Sequence, residues 1–268
     1  MIDIHHHCLH GVDDGPRTLE ESVELVRMAA EEGIETIVAT PHVLRGRWRV
    51  FSPFELETKL AELRDAVGDS PRIILGSEYY FAHDMADVLH AGESIVPLAG
   101  GRYVLLELAS NSVPPMLEQP LYRAQLEGWV PVIAHPERNT VFQAKPEMLH
   151  HLINHGALVQ VTATSLTGAF GAQARAAAET FIRRRLVHFI ATDAHNIEKR
   201  PPRVREAIEA LRALAGDEIT HALTHANPLA VVENRGLAWE PEPQEERQGG
   251  FFTRLRSFFT PRQPYNLP

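Results

Sequence analysis

A lone cysteine, Cys8, in a chain of 268 residues leaves no internal disulfide to form, as suits a reducing compartment. No apolar run reaches the ~20 residues that cross a bilayer. Asp3 and the histidines at 5, 6 and 7 interrupt the start before a signal-peptide core could build up, so the expected location is cytoplasmic. Basic excess is missing too. Lys and Arg number 26 against 35 Asp and Glu, and a formal net charge of -9 argues against general binding to nucleic acid phosphates. What remains, 44% apolar and 23% charged residues, is ordinary globular composition, which excludes a mainly disordered or membrane-embedded chain.

Histidine is plentiful, at 15 residues, and its placement is informative. Ile2 and Ile4 alternate with Asp3 and His5 as in a short half-buried strand, so His5 and His7 face one side where that strand ends. A pair of imidazoles on one side is half a metal site. Asp13 and Asp14 follow in a turn marked by Gly15-Pro16 and return hard oxygen ligands toward the nitrogens, a mix that suits Zn, Mn or Fe.

The rest of the chain repeats one unit. Thr18-Leu19-Glu20-Glu21 reads as a capping box opening a helix that ends at Gly33, and Ser52-Pro53-Phe54-Glu55 opens a second through about Val67. Further helices are predicted over 115–126, about 146–155 and about 169–185. Between them, β-rich runs at 36–40, 72–76, 103–106, 130–134 and 187–191 deliver His42, Glu78, Glu107, His135, and Asp193 with His195. The run at 157–161 ends in Thr162, with no ligand type. Strands alternating with helices imply a parallel sheet, and seven strands fit a barrel, where side chains at the strand C-termini converge on one mouth. Ligand types at six of the seven strand ends exceed what one tetrahedral ion can use, so two or three ions sharing carboxylates are expected.

In these residues the sequence resembles the PHP superfamily, named for polymerase and histidinol phosphatase: His5-x-His7, Asp14, His42, Glu78, Glu107, His135 and Asp193-x-His195 match its metal-ligand pattern in order. More narrowly, the opening 1–7 motif, Val12-Asp-Asp-Gly-Pro, Thr36-Ile-Val, Ile133-Ala-His-x-Glu-Arg and Asp193-x-His-Asn look like the CpsB/CapC branch. The resemblance, over residues 1–235, implies a distorted seven-stranded (β/α)7 TIM-like barrel of α/β class with a centre of three divalent ions, manganese first and iron or zinc as alternatives. It implies a protein-tyrosine phosphatase that acts on a phosphorylated bacterial tyrosine kinase controlling capsule or exopolysaccharide synthesis, with Arg138 and Arg200 binding the phosphate; on chemical grounds His42, or another histidine of the ligand set, is expected to assist the leaving oxygen. The alternatives from the same superfamily are a phosphatase for a small phosphomonoester such as histidinol phosphate and a nuclease; a third is a metal-bound regulatory module without turnover. The acidic charge counts against the nuclease, and the intact ligand set against the inert module.

A cysteine phosphatase loop is excluded, because the residue that closes a Cys-x5-Arg spacing from Cys8 is Asp14. His6, His10, His83, His90, His150, His151, His155, His188, His221 and His225 are assigned to packing or surface. The segment Arg45-Gly46-Arg47-Trp48-Arg49 places cations and an aromatic at the expected mouth, suited to an acidic phosphopeptide. Residues 236–268 form a separate tail: 240–246 is an acidic, Pro-rich linker, and Phe251, Phe252, Leu255, Phe258 and Phe259 fall on one helical face beside Arg254, Arg256 and Arg262. That face is expected to make weak contact with a membrane or a membrane partner, holding the protein at the inner face.

Overall fold

A computed structural model describes residues 1–43, 49–82, 85–91 and 95–242. Positions 45–48 of the basic loop, His83 and the amphipathic 251–259 segment lie outside the described residues. The strands are β1 (Ile2–His6), β2 (Thr36–Ala39), β3 (His42–Val43), β4 (Arg72–Leu75), β5 (Glu78–Tyr80), β6 (Tyr103–Glu107), β7 (Val130–Ala134), β8 (Leu158–Thr162) and β9 (Phe189–Ala191). All pair in parallel, in the orders β1-β2-β4 and β3-β5-β6-β7-β8-β9.

Among the described residues nine segments make seven units, because β2 with β3 and β4 with β5 are single runs interrupted at Thr40-Pro41 and Gly76-Ser77. Pro41 has no N–H to give to the ladder. Gly76 bends in close to β2, where a Cβ would lie 2.9 Å from Val38 Cγ1 and 3.2 Å from Leu98 Cδ2. Hydrogen bonds bridge the breaks, Gly76 N donating to Ala39 O at 2.8 Å and Glu78 N to Pro41 O at 3.0 Å. Closure is made where β1 meets the segment after β9: Asp193 N donates to His5 O and His7 N to Ala194 O, each at 2.8 Å. The expected distorted seven-stranded barrel is therefore present, with two strands snapped near the mouth.

Alternation along the strands divides the core. Ile2, Ile4, Val38, Tyr103, Leu105, Val132, Ala134, Phe189 and Ala191 form one buried cluster with Leu98 and Val231. Their neighbours Val104, Leu106, Ile133, Val159, Val161 and Ile190 join the helices' Leu25, Leu60, Phe142, Phe181 and Leu211 in the other. Truncating one of these, Phe181→Ala for instance, costs about 3–5 kcal/mol.

The helices start where their caps dictate. Ser52 and Glu55 form a full capping box on Pro53–Val67, with Ser52 N donating to Glu55 Oε2 at 2.9 Å and Glu55 N to Ser52 Oγ at 3.3 Å. On Leu19–Glu31, Thr18 caps Glu21 N, but the returning Glu21 carboxylate takes Arg17 N instead of Thr18 N, so only half of the expected box forms. Two C-terminal helices that the sequence reading did not foresee, Arg205–His221 and Asn227–Val232, follow β9. The chain stays packed past residue 235: Asn227 binds Trp239 through both its amide atoms, at 2.7 and 2.9 Å, and Trp239 rests on the core. Among the described residues no helix is long and apolar enough to cross a membrane.

Candidate metal centre

All nine ligand candidates, His5, His7, Asp14, His42, Glu78, Glu107, His135, Asp193 and His195, meet at the mouth in four overlapping groups whose ligand atoms lie within 4.8 Å of one another. His5, Glu78 and His135 form one group; His5, His7 and Asp193 a second. His7, Asp14, His42 and His195 form a third, and His42, Glu78 and Glu107 a fourth. Glu107 ends β6 as expected, whereas His42 and Glu78 sit within the short strands β3 and β5 beyond the breaks. His135 (φ 34°) and Asp193 (φ 52°) occupy the left-handed region, a local strain that turns the chain at the mouth.

Glu78 is central. Its Oε1 lies 2.9 Å from His135 Nε2 and 3.4 Å from His5 Nε2, and its Oε2 lies 2.8 Å from His42 Nδ1 and 3.4 Å from His7 Nε2. One oxygen thus serves each side, as a bridging carboxylate does. Asp14 Oδ1 stands 3.3 Å from both His42 Nε2 and His195 Nε2.

Three of the imidazoles are oriented from behind, where Nδ1–H has its own acceptor, whereas His42 turns Nδ1 to Glu78. His5 Nδ1 donates to Gln160 Oε1 at 2.9 Å, His7 Nδ1 to Asp13 Oδ2 at 2.7 Å, and His195 Nδ1 to the Asp193 carbonyl at 3.0 Å. Each Nε2 lone pair is left facing the cluster. Asp13, read from sequence as a further oxygen ligand, belongs to this outer layer instead. Its Oδ2 also accepts from His42 N at 3.0 Å and its Oδ1 from Gly15 N at 2.9 Å, so both its oxygens are engaged with protein.

Does this donor set fit divalent ions? The Nε2 atoms of His5 and His7 are 3.2 Å apart, with Asp193 Oδ1 at 3.2 and 3.4 Å from them. That spacing matches the edge of a coordination polyhedron with ~2.0–2.2 Å ligand bonds. Lone pairs pointed at a carboxylate at this range repel unless a positive charge lies between them. Burial opposes charge on His7, yet Asp13, Asp193 and Glu78 outweigh it and hold that imidazole well above its usual range, so these carboxylates draw positive charge to the spot that a cation would occupy. Burial pushes His135 and His195 down to about 4, so both are neutral and ligand-competent near neutral pH. For Glu78 and Asp193 burial works against ionisation, but neighbours headed by His5 and Arg138 respectively keep both carboxylates well below their usual range. Mixed N and O donors with four carboxylates suit divalent transition ions.

Arg138 and Arg200 flank the centre. Both donate through Nη2 to Asp193 Oδ2, the oxygen turned away from His5 and His7. Arg138 also donates to Thr162 Oγ1 at 2.6 Å. Beside them opens a cavity of about 750 Å³, lined by Asp14, Glu107, His135 and Arg138 on its polar side and by Tyr80, Leu108, Pro136 and Phe142 on its apolar side. Cys8 is buried, outside all four ligand groups, and burial pushes its thiol far up.

Gln160, Thr162 and Glu137 have no role assigned from the sequence, although Thr162 closes the run at 157–161 and Glu137 lies in the motif after Ile133. Glu137 is fully buried and takes hydrogen bonds from Thr162 N at 3.1 Å and Ser165 Oγ at 2.7 Å, tying the turn after β7 to the end of β8. Its place in the His135-Pro136-Glu137-Arg138 run was the available signal.

A family model described as capsular polysaccharide synthesis, CpsB/CapC, matches residues 1–233. The tyrosine-protein phosphatase YwqE of Bacillus subtilis is 34% identical over 255 residues, which cover 94% of this chain and 100% of YwqE. The tyrosine-protein phosphatase CpsB of Streptococcus agalactiae is 30% identical over 244 residues, 87% of this chain and 99% of CpsB. A crystal structure from work on YwqE and on CpsB of Streptococcus pneumoniae, described as unique metal-dependent tyrosine phosphatases, superposes with a TM-score of 0.86 at 34% identity, covering 91% of this chain and 100% of that one. A phosphotriesterase from Mycobacterium tuberculosis shares the fold alone, with a TM-score of 0.50 at 15% identity over 81% of this chain and 86% of that one.

Proposed function

The chain belongs to the CpsB/CapC family of capsular polysaccharide synthesis, and from that premise we propose that it is a metal-dependent protein-tyrosine phosphatase acting on a tyrosine kinase of capsule or exopolysaccharide synthesis. The observation that carries the reading is the convergence of nine nitrogen and oxygen ligands beside two guanidinium groups at one barrel mouth.

In this reading His5, His7, Asp14, His42, Glu78, Glu107, His135, Asp193 and His195 would hold divalent ions, three in number with manganese first, and Glu78 belongs to two of the four ligand groups. Divalent ions bound there supply Lewis acidity toward the phosphoryl oxygens and activate water at neutral pH. The chain's own residues do the rest. Arg138 and Arg200 turn planar donors toward the phosphate oxygens. The phosphotyrosyl ring enters the cavity against Tyr80, Leu108 and Phe142. His42 assists the leaving oxygen. A phenolate leaves readily, so this contribution is smaller than that of the arginines.

The protein acts in the cytoplasm, and the 251–259 segment tethers it weakly at the membrane where its kinase works, raising the effective concentration of substrate. Truncation after residue 242, which spares the packed Trp239, leaves turnover of a soluble phosphopeptide intact and reduces sedimentation with anionic liposomes. Unchanged sedimentation removes the tether from the account.

The test of the activity is a side-by-side assay of a phosphotyrosyl peptide, histidinol phosphate and single-stranded DNA. The expected order puts the phosphotyrosyl peptide first in kcat/KM. Preference for histidinol phosphate or DNA makes this a different phosphoesterase on the same centre.

A further inference from the structure

Six strand units of the barrel carry metal-ligand types at the mouth; β8 ends in Thr162 and carries none. Its surroundings give it another task. Arg138 Nη2 donates to Thr162 Oγ1 at 2.6 Å, and the Arg138 guanidinium carbon lies 4.0 Å from the ring centroid of Phe170. The Arg200 guanidinium carbon lies 5.9 Å from the same ring. Phe170 closes the turn that follows β8, just before the helix Gly171–Arg183. Backbone hydrogen bonds brace that turn: Leu166 N to Ala163 O at 3.1 Å, Ala169 N to Thr164 O at 3.0 Å and Gly171 N to Gly168 O at 2.9 Å.

We propose that Thr162 and Phe170 are positioning residues that cradle the two arginines for a phosphate dianion, so that β8 serves the anion as the other strands serve the metals. The inference rests on the phosphate-binding role given above to Arg138 and Arg200. Two like charges brought to one carboxylate oxygen of Asp193 need a support that leaves most of their N–H groups unspent, and Thr162 takes a single Nη2 hydrogen of Arg138. Glu137 Oε1 stands off at 3.8 Å from Arg138 Nε, beyond hydrogen-bond reach; a further carboxylate in direct contact would take N–H groups and repel the incoming dianion. An aromatic face attracts a guanidinium through its quadrupole and leaves the in-plane N–H groups free for phosphate oxygens. The Thr162 hydroxyl fixes the rotation of Arg138 about the axis that the ring leaves open.

The test uses the metal-loaded full chain. Phe170→Leu keeps apolar bulk and removes the quadrupole. It is expected to raise the inhibition constant of inorganic phosphate and the KM for a phosphotyrosyl peptide on the order of tenfold, with kcat, metal content and Tm changing little. Phe170→Tyr restores both constants. In an Arg138→Ala background, the same Phe170→Leu change has a much smaller effect, because the arginine it positions is gone. If Phe170→Leu leaves the phosphate constant unchanged while Arg138→Ala weakens it, the cradle is wrong and the arginine assignment stands. If Arg138→Ala itself leaves that constant unchanged, the arginine assignment fails and takes the cradle with it. Should Phe170→Leu not fold, Thr162→Val carries the same comparison, since it removes the hydroxyl and keeps the shape.

Discussion

His42 and Glu78 stand on one rung of the barrel, Cα partners across β3 and β5, and His42 Nδ1 lies 2.8 Å from Glu78 Oε2. The breaks at Thr40-Pro41 and Gly76-Ser77 put them there, and Glu78 still reaches His135 with its other oxygen at 2.9 Å. Glu78→Gln keeps the shape and removes the charge. It is expected to lose more than one ion per chain by elemental analysis, with a larger fall in activity than the ~10–100-fold typical of outer-layer partners. Loss of a single ion shows that Glu78 does not bridge.

Asp13 tests the outer layer. Burial opposes its ionisation, but the His7 imidazole beside it brings the carboxyl down to about 2, so it stays charged and holds the His7 ring in place. Asp13→Asn is expected to weaken metal binding about 10–100-fold in a competition titration with the fold unchanged. Unaltered affinity removes Asp13 from the support of the centre.

Arg138→Ala and Arg200→Ala should each keep the metal content and lose on the order of a hundredfold or more in kcat/KM, as when a charge-stabilising donor is removed. Both arginines also hold Asp193. A variant that sheds metal and keeps phosphate affinity is therefore a scaffold for Asp193 and not a phosphate binder.

The convergence of the candidate ligands was legible because all but Asp14 sit at the end of a β run, and parallel barrels gather strand ends. Local chemistry could not reveal the breaks: Thr40-Pro41 and Gly76-Ser77 read as strand ends, yet the ladder resumes beyond both because neighbouring strands supply the bonds. Nor could it reveal the outer layer, where His5 and Gln160 are 155 residues apart. Asp13 shows a subtler failure. Adjacent carboxylates at 13 and 14 look alike in sequence, and only the backbone amides of Gly15 and His42 decide which one is taken up by the protein.

His188 gives a pH test away from the centre. Burial alone pushes its imidazole down to about 3, while the unfolded chain titrates near ~6.5. The unfolded state then binds the proton first, so stability is full above ~6.5 and is lost as pH falls toward the folded value. His188→Leu forfeits the acceptor for Val159 N at 3.1 Å and is expected to be less stable at pH 7.5 by urea unfolding. Between pH 6 and 5 that deficit should shrink, by up to about 1.4 kcal/mol per pH unit. A deficit that does not change with pH contradicts the assignment.

Phosphotyrosyl-peptide hydrolysis by wild type and Cys8→Ser, each measured before chelation, after EDTA and after return of manganese, tests the central claim most directly. The buried Cys8 thiol, pushed far up, is no nucleophile at neutral pH. The expected result is full loss with EDTA, recovery with manganese to a saturating stoichiometry above one ion per chain, and near-equal rates for the two proteins. Activity that survives exhaustive chelation, or that vanishes in Cys8→Ser with its metals still bound, contradicts a metal-centred phosphatase.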